Sequence, residues 1–213
     1  YLSVELAGEE IINFAKISKN GADYAKNAIN EADSDKFEEL RKKLVKYEEI
    51  SDRIEYEIAT FLNKVSAEEI SESTSVKIKA MYKIIGELES LGDSGETLSR
   101  ILSRKNIHKK EFDSESIKNL NAMADAVNAT YDVMIENLTA AHKGELVEIS
   151  NAYNAEDRLN TLRNNLRDSV IENIDSKGDN YQASVYFIDI INTYEQMGDF
   201  MINVSQDLER AFV

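Results

Sequence analysis

The segment Glu87-Leu88-Glu89-Ser90-Leu91-Gly92-Asp93 decides how the rest of the chain reads. Around it, Ile84, Leu88, Leu91, Gly95, Leu98 and Leu102 step by four and three, the spacing of one helix face packed in a bundle. Glu89 and Asp93 stand four positions apart, so a helix places them side by side, where two carboxylates repel each other. The glycine before the aspartate costs about 1 kcal/mol relative to alanine in a helix interior. This unfavourable arrangement returns as Tyr194-Glu195-Gln196-Met197-Gly198-Asp199. Glu89 to Glu195 and Asp93 to Asp199 are both separations of 106 positions, half of the 213-residue chain. A repeat of that length indicates a duplicated domain rather than a solenoid of short units.

Working outward, each half reads as three helices. In the first half, one helix is predicted from about Ser3 to Glu31, with Leu6, Ile11, Ile12, Phe14, Ala15, Ile17 and Ala22 on its apolar face. A second follows a cap at Ser34 or Asp35 and runs to about Val65, with Ile54, Ile58, Phe61 and Val65 in its stripe. Ser66-Ala67-Glu68-Glu69 has the form of a capping box and is expected to open the third helix, which reaches about Arg104. Asn106 to Lys110 is the polar connection between halves, so the expected domains are residues 1–107 and 108–213, joined near 105–112. In the second half, Asp113 or Ser114 caps a helix to about His142, and Gly144 suits its C-terminal cap. The next helix runs to about Ile174, and Ser176-Lys177-Gly178-Asp179 is the expected last turn before a final helix carrying Phe187, Ile191, Tyr194, Met201 and Leu208. The predicted fold class is all-α, two tandem three-helix bundles.

Composition narrows the function. With 25 Lys and Arg against 40 Asp and Glu the formal net charge is −15, which disfavours nucleic acid and anionic lipid as partners. The same charge favours metal cations or basic partners. The chain has no Cys and so no thiolate ligand, and no apolar run of membrane-spanning length. It has no Pro to interrupt helices. His108 and His142 sit near the linker and at a helix end, where His142 complements a helix C-terminus, and no Glu-x-x-His pair occurs. No nucleophile elbow or phosphate-binding loop is present. No catalytic residue is assigned, and the chain is read as a non-enzyme.

The carboxylates carry the chemistry. From the stripe on the third helix, Glu89 and Asp93 project away from the core, with Glu96 nearby. On the second helix Glu48 and Asp52 do the same, with Glu49 beside them and Glu55 towards the edge. If the two helices are neighbours, these rows face each other and form an oxygen site for a hard cation. An acidic helix face can equally be a solvated surface, and the chain a helical scaffold with no ion at all. The second half offers Glu156, Asp157, Glu195 and Asp199. Aligning Glu48 with Glu156 puts Asn160 at the place of Asp52 and Arg163 at that of Glu55, while Thr193 stands for Glu87. A weaker second metal site is expected.

The run from Tyr82 to Asp93 resembles the signature helix of PhoU proteins, and Glu48 to Glu55 resembles the acidic row on that family's preceding helix. The resemblance covers nearly the whole chain. It implies two three-helix bundles, surface-bound metal (iron, zinc, manganese or magnesium) and a regulatory rather than catalytic role in phosphate uptake. It also implies partners that are phosphate-signalling proteins or the membrane domain of a transporter, without membrane insertion of this segment, and it leaves homo-oligomers open. Two forms fit: a free-standing cytoplasmic regulator of an ABC transporter and its sensor kinase, or the cytoplasmic C-terminal part of a sodium/phosphate cotransporter-like protein. The start at Tyr1 rather than Met and the divergent second half favour the second form.

Overall fold

A computed structural model describes residues 3–174 and 181–212. The six helices are α1 (Val4–Asn30), α2 (Ser34–Ser66), α3 (Glu72–Ile107), α4 (Ser114–Lys143), α5 (Ile149–Ile174) and α6 (Tyr181–Phe212). There are no strands among the described residues, and the architecture is two three-helix bundles. Each bundle runs up, down and up. The bundles join where α1 meets α4 and α3 meets α6, while α2 and α5 pack on the flanks. The apolar core is continuous across the junction, from Phe14, Leu44, Leu62 and Leu88 to Leu120, Tyr131, Leu159 and Tyr194. No described helix is long and apolar enough to cross a membrane.

The stripe on α3 behaves as its spacing demands, since Ile84, Leu88, Leu91, Gly95, Leu98 and Leu102 are all buried. The caps differ in part. Asp33, one residue before the expected cap, accepts a hydrogen bond from the Lys36 N–H and starts α2. Ser66 does not open α3: it closes α2, and the cap of α3 is Ser71, whose Oγ accepts from the Thr74 N–H at 3.1 Å. Ile70, in the intervening turn, packs against the core. Asp113 caps α4 and Gly144 ends it at φ 72°, as expected. The turn read at residues 176–179 lies outside the described residues. Leu6, placed on the core face from sequence, is 48% exposed, because at about 100° per residue it lies roughly 140° round α1 from the buried Ile11, while its neighbour Ala7 faces the core.

Polar contacts tie the halves together along α1 and α4. Lys19 pairs with Asp132, Lys26 with Asp125 at 2.7 Å, and Asn30 exchanges side-chain hydrogen bonds with Asn121. Deeper in the same seam the Ser18 and Tyr131 hydroxyls meet at 2.7 Å.

The repeated glycines have a packing reason. A Cβ at Gly92 would lie 2.1 Å from Ser51 Oγ and 2.6 Å from Ser51 Cβ, so Gly92 is where α2 is allowed against α3. Gly198 serves the same crossing in the second bundle, where a Cβ would lie 2.6 Å from Leu159 Cδ2. Gly86 has open space around it. Gly92→Ala is therefore expected to destabilise the protein by about 1–3 kcal/mol, the usual cost of overpacking. Gly86→Ala is expected to stabilise it by about 0.5–1 kcal/mol, since glycine is costly in a helix interior. Urea unfolding checks both, and an unchanged midpoint for Gly92→Ala would remove the packing reason for that glycine.

Candidate metal centre

The close approach at Gly92 sets the geometry of the acidic rows. Because α2 covers the flank of α3 that bears Glu89 and Asp93, these carboxylates lie half-buried in the α2–α3 seam rather than on a free outer face. One oxygen each of Asp52, Glu89 and Asp93 lies within 4.8 Å of the others. This is the one such group of three among the described residues. Oδ1 of Asp93 is shut off from solvent and has no hydrogen-bond partner, a costly state for a carboxylate oxygen. Ser51 Oγ, buried beside the crossing point, is likewise unpartnered.

The crowding shows in the protonation of the group. Glu89 is pushed up to about 9, first by burial and then by hydrogen bonding to Asp52 and Asp93, with the charges of Asp93 and Glu55 adding to it. Burial also raises Asp93, opposed by its hydrogen bond with Glu89 and helped by the charges of Asp52 and Glu96. Glu48 is raised by burial and by Asp93, Glu96 and Asp52, and Glu55 by burial and by Asp52 and Asp93. Five carboxyls, Glu48, Asp52, Glu55, Glu89 and Asp93, thus share one electrostatic neighbourhood. A proton on Glu89 relieves it in part; a cation held between oxygens would relieve it more fully and would supply the partner that Asp93 Oδ1 lacks. The donor set is all oxygen, which suits a hard cation.

Two residues of the acidic rows stand apart. Glu96 is held by Arg41 at 3.4 Å and by Arg100 at 3.3 Å, so its charge is already met. Arg41 also donates to Ser99 Oγ at 3.0 Å, which fixes its place. Glu49 is exposed on α2 and outside the converging group. The Glu96–Arg100 pair is visible in the sequence as an i, i+4 spacing, whereas Arg41 reaches it only through the α2–α3 packing. Glu87, adjacent in sequence, points to α6 and accepts from Asn203 at 3.4 Å. Neither histidine joins the site: His108 meets the Tyr186 hydroxyl, and His142 lies 3.9 Å from Glu9.

The second bundle keeps the scaffold and changes the charges. Glu195 lies beside Asp199, which is raised by burial and by Glu195 and lowered by Arg163. Asn160 donates to Glu156 at 2.9 Å, and Arg163 donates to Asn192 at 3.2 Å. Asp157 faces a separate exposed groove with Asn154 and Arg158. The four carboxylates singled out in this half therefore do not form a group like that of the first.

Among solved structures, the chain is similar to PhoU from Pseudomonas aeruginosa, with a TM-score of 0.84 at 13% identity over 98% of this chain and 97% of that one. It is also similar to the phosphate transport system regulatory protein PhoU from Streptococcus pneumoniae, with a TM-score of 0.74 at 14% identity over 95% and 91% of the two chains. The fold is the PhoU fold. The sequence matches no protein-family model and no curated protein sequence.

Proposed function

We propose that the chain is a PhoU-type regulator of phosphate transport whose first bundle holds a divalent or trivalent cation. Asp52, Glu89 and Asp93 would ligate the ion, with Glu48 and Glu55 next in reach; iron, zinc, manganese and magnesium all accept such oxygen donors. The observation that carries the reading is the convergence of these three carboxylates, with an orphaned Asp93 oxygen, at one crossing of a chain that shares its whole fold with PhoU. A bound ion would supply positive charge between the two helices; the chain's own carboxylates would position it, and Gly92 lets α2 and α3 approach closely enough for them to meet. The free-standing form is favoured over a domain appended to a sodium/phosphate cotransporter. What supports this is that the chain spans 97% and 91% of the two PhoU structures it resembles, the second of them a phosphate transport system regulatory protein. Its partners would be the transporter or the signalling proteins of the phosphate response, on the cytoplasmic side of the membrane. The acidic surface, at net charge −15, suits basic patches on them.

Deleting the gene in its own host is expected to release phosphate uptake from restraint in phosphate-rich medium. An allele carrying Asp52→Asn, Glu89→Gln and Asp93→Asn, at normal protein level, is expected to behave like the deletion. Unchanged uptake in the deletion strain would overturn the regulatory reading, and a fully functional triple allele would reduce the site to a solvated acidic face.

A further inference from the structure

We propose that the groove between α1 and α2 docks a basic amphipathic segment of a partner protein, one that presents a bulky apolar side chain between lysines or arginines. The groove encloses about 250 Å³ and is lined by Leu6, Ala7, Ile54, Ile58 and Phe61, with Glu10 and Glu57 among its walls. Ala7 and Ile58 are buried and form the floor, while Leu6 is 48% exposed and Ile54 and Phe61 are half-buried. Ile54, Ile58 and Phe61 span two turns of α2, a strip roughly 10 Å long. The small side chain of Ala7 leaves a gap that its larger neighbours border without closing. Covering this apolar surface is favourable in proportion to its area, whatever the partner.

Charge selects the occupant. The titratable groups lining the groove are both glutamates, and neither has an ion-pair partner among the described residues. The whole chain carries −15, which steers cationic segments in and works against anionic lipid, acidic peptides and a second copy of the chain. The groove lies on the α1 side of α2 and the carboxylate cluster on its α3 side, so the inference does not depend on the metal reading.

The test is titration of a labelled helical peptide of leucine and lysine against the intact protein, followed by fluorescence anisotropy. The wild-type chain is expected to bind it, and an otherwise identical peptide of leucine and glutamate is expected not to. Leu6→Lys and Glu10→Lys/Glu57→Lys are each expected to weaken binding at least about tenfold. Glu38→Lys/Glu39→Lys, which makes the same change of charge at exposed positions elsewhere on α2, is expected to have much less effect. Circular dichroism melts establish that each variant folds; if Leu6→Lys does not, the two exposed glutamates carry the test. No binding by the wild-type chain, equal loss in the control variant, or equal binding of the glutamate peptide would each overturn the proposal. So would a dimer in sedimentation that Leu6→Lys abolishes, since the groove would then belong to a second copy.

Discussion

Adding Mn²⁺ to about a hundred times its Kd is expected to stabilise the wild-type protein by about 2.7 kcal/mol, the linkage value for a ligand that binds only the folded state. For a chain of this size that is a rise in Tm of roughly 5–10 °C. Glu89→Gln/Asp93→Asn is expected to remove the rise, because affinity for hard cations follows the number and charge of oxygen ligands. Loss of outer-shell partners alone costs metal sites about 10–100-fold, so loss of two ligands should cost at least that. Without metal the order reverses. Glu89 in the folded protein sits near 9, above its ordinary value of 4.5, so the folded state holds a proton that the unfolded chain releases. That contribution to stability is complete below about 4.5 and is lost as pH rises towards 9. Metal-free wild-type protein should therefore lose stability across this window, and the double variant should show a flatter profile. At neutral pH the metal-free variant should be the more stable by no more than about 1 kcal/mol, since the groups are partly exposed and screened by solvent. Metal displaces the proton, so metal affinity should rise over the same interval. Melts at several pH values, with and without Mn²⁺, measure all of this; a variant that still gains the full Tm rise would place the ion elsewhere.

The second large effect concerns the duplicate. On the Glu89→Gln/Asp93→Asn background, Asn160→Asp/Arg163→Glu is expected to restore a metal-dependent rise in Tm. Asn160 and Arg163 occupy the places of Asp52 and Glu55, and they change what the crossing needs. Arg163 already lowers Asp199, and Asn160 already donates to Glu156. The guanidinium thus already supplies positive charge near Asp199, and an incoming cation would meet two carboxylates fewer and a positive charge more. Turning both residues acidic removes that positive charge and restores the two missing carboxylates. Arg163→Met alone separates loss of the positive charge from gain of a ligand, and should restore little. A background double variant that binds metal as tightly as wild type, through Glu195 and Asp199, would show the asymmetry to be wrong.

Much of this was legible in the sequence because it rests on periodicity. The four-three stepping of α3 names its buried face, and the spacing of 106 positions names the duplication. Local signals that compete were less readable. Ser66 and Ser71 both offer a cap, and it is Ser71 that caps α3, with Ile70 packed on the core from the turn between. Leu6 is apolar but lies off the stripe that Ala7, Ile11, Phe14 and Ala15 define, and residue type alone drew it onto the core face. The acidic rows were legible as rows, not as a site. Helical angles place Glu89 and Asp93 away from the α3 core face, yet that side is covered, because Gly92 admits Ser51 and brings α2 across it. The same packing delivers Arg41 to Glu96 from 55 positions away and takes that carboxylate out of the group.

The ratio of metal to protein after equilibrium dialysis against Mn²⁺, Zn²⁺ or Fe³⁺, read by elemental analysis, tests the metal centre most directly. Wild-type protein should retain metal, Glu156→Gln/Glu195→Gln/Asp199→Asn should retain as much, and Asp52→Asn/Glu89→Gln/Asp93→Asn should retain none. Equal retention by the last variant, or loss confined to the second-bundle variant, would contradict a metal centre at the crossing of α2 and α3.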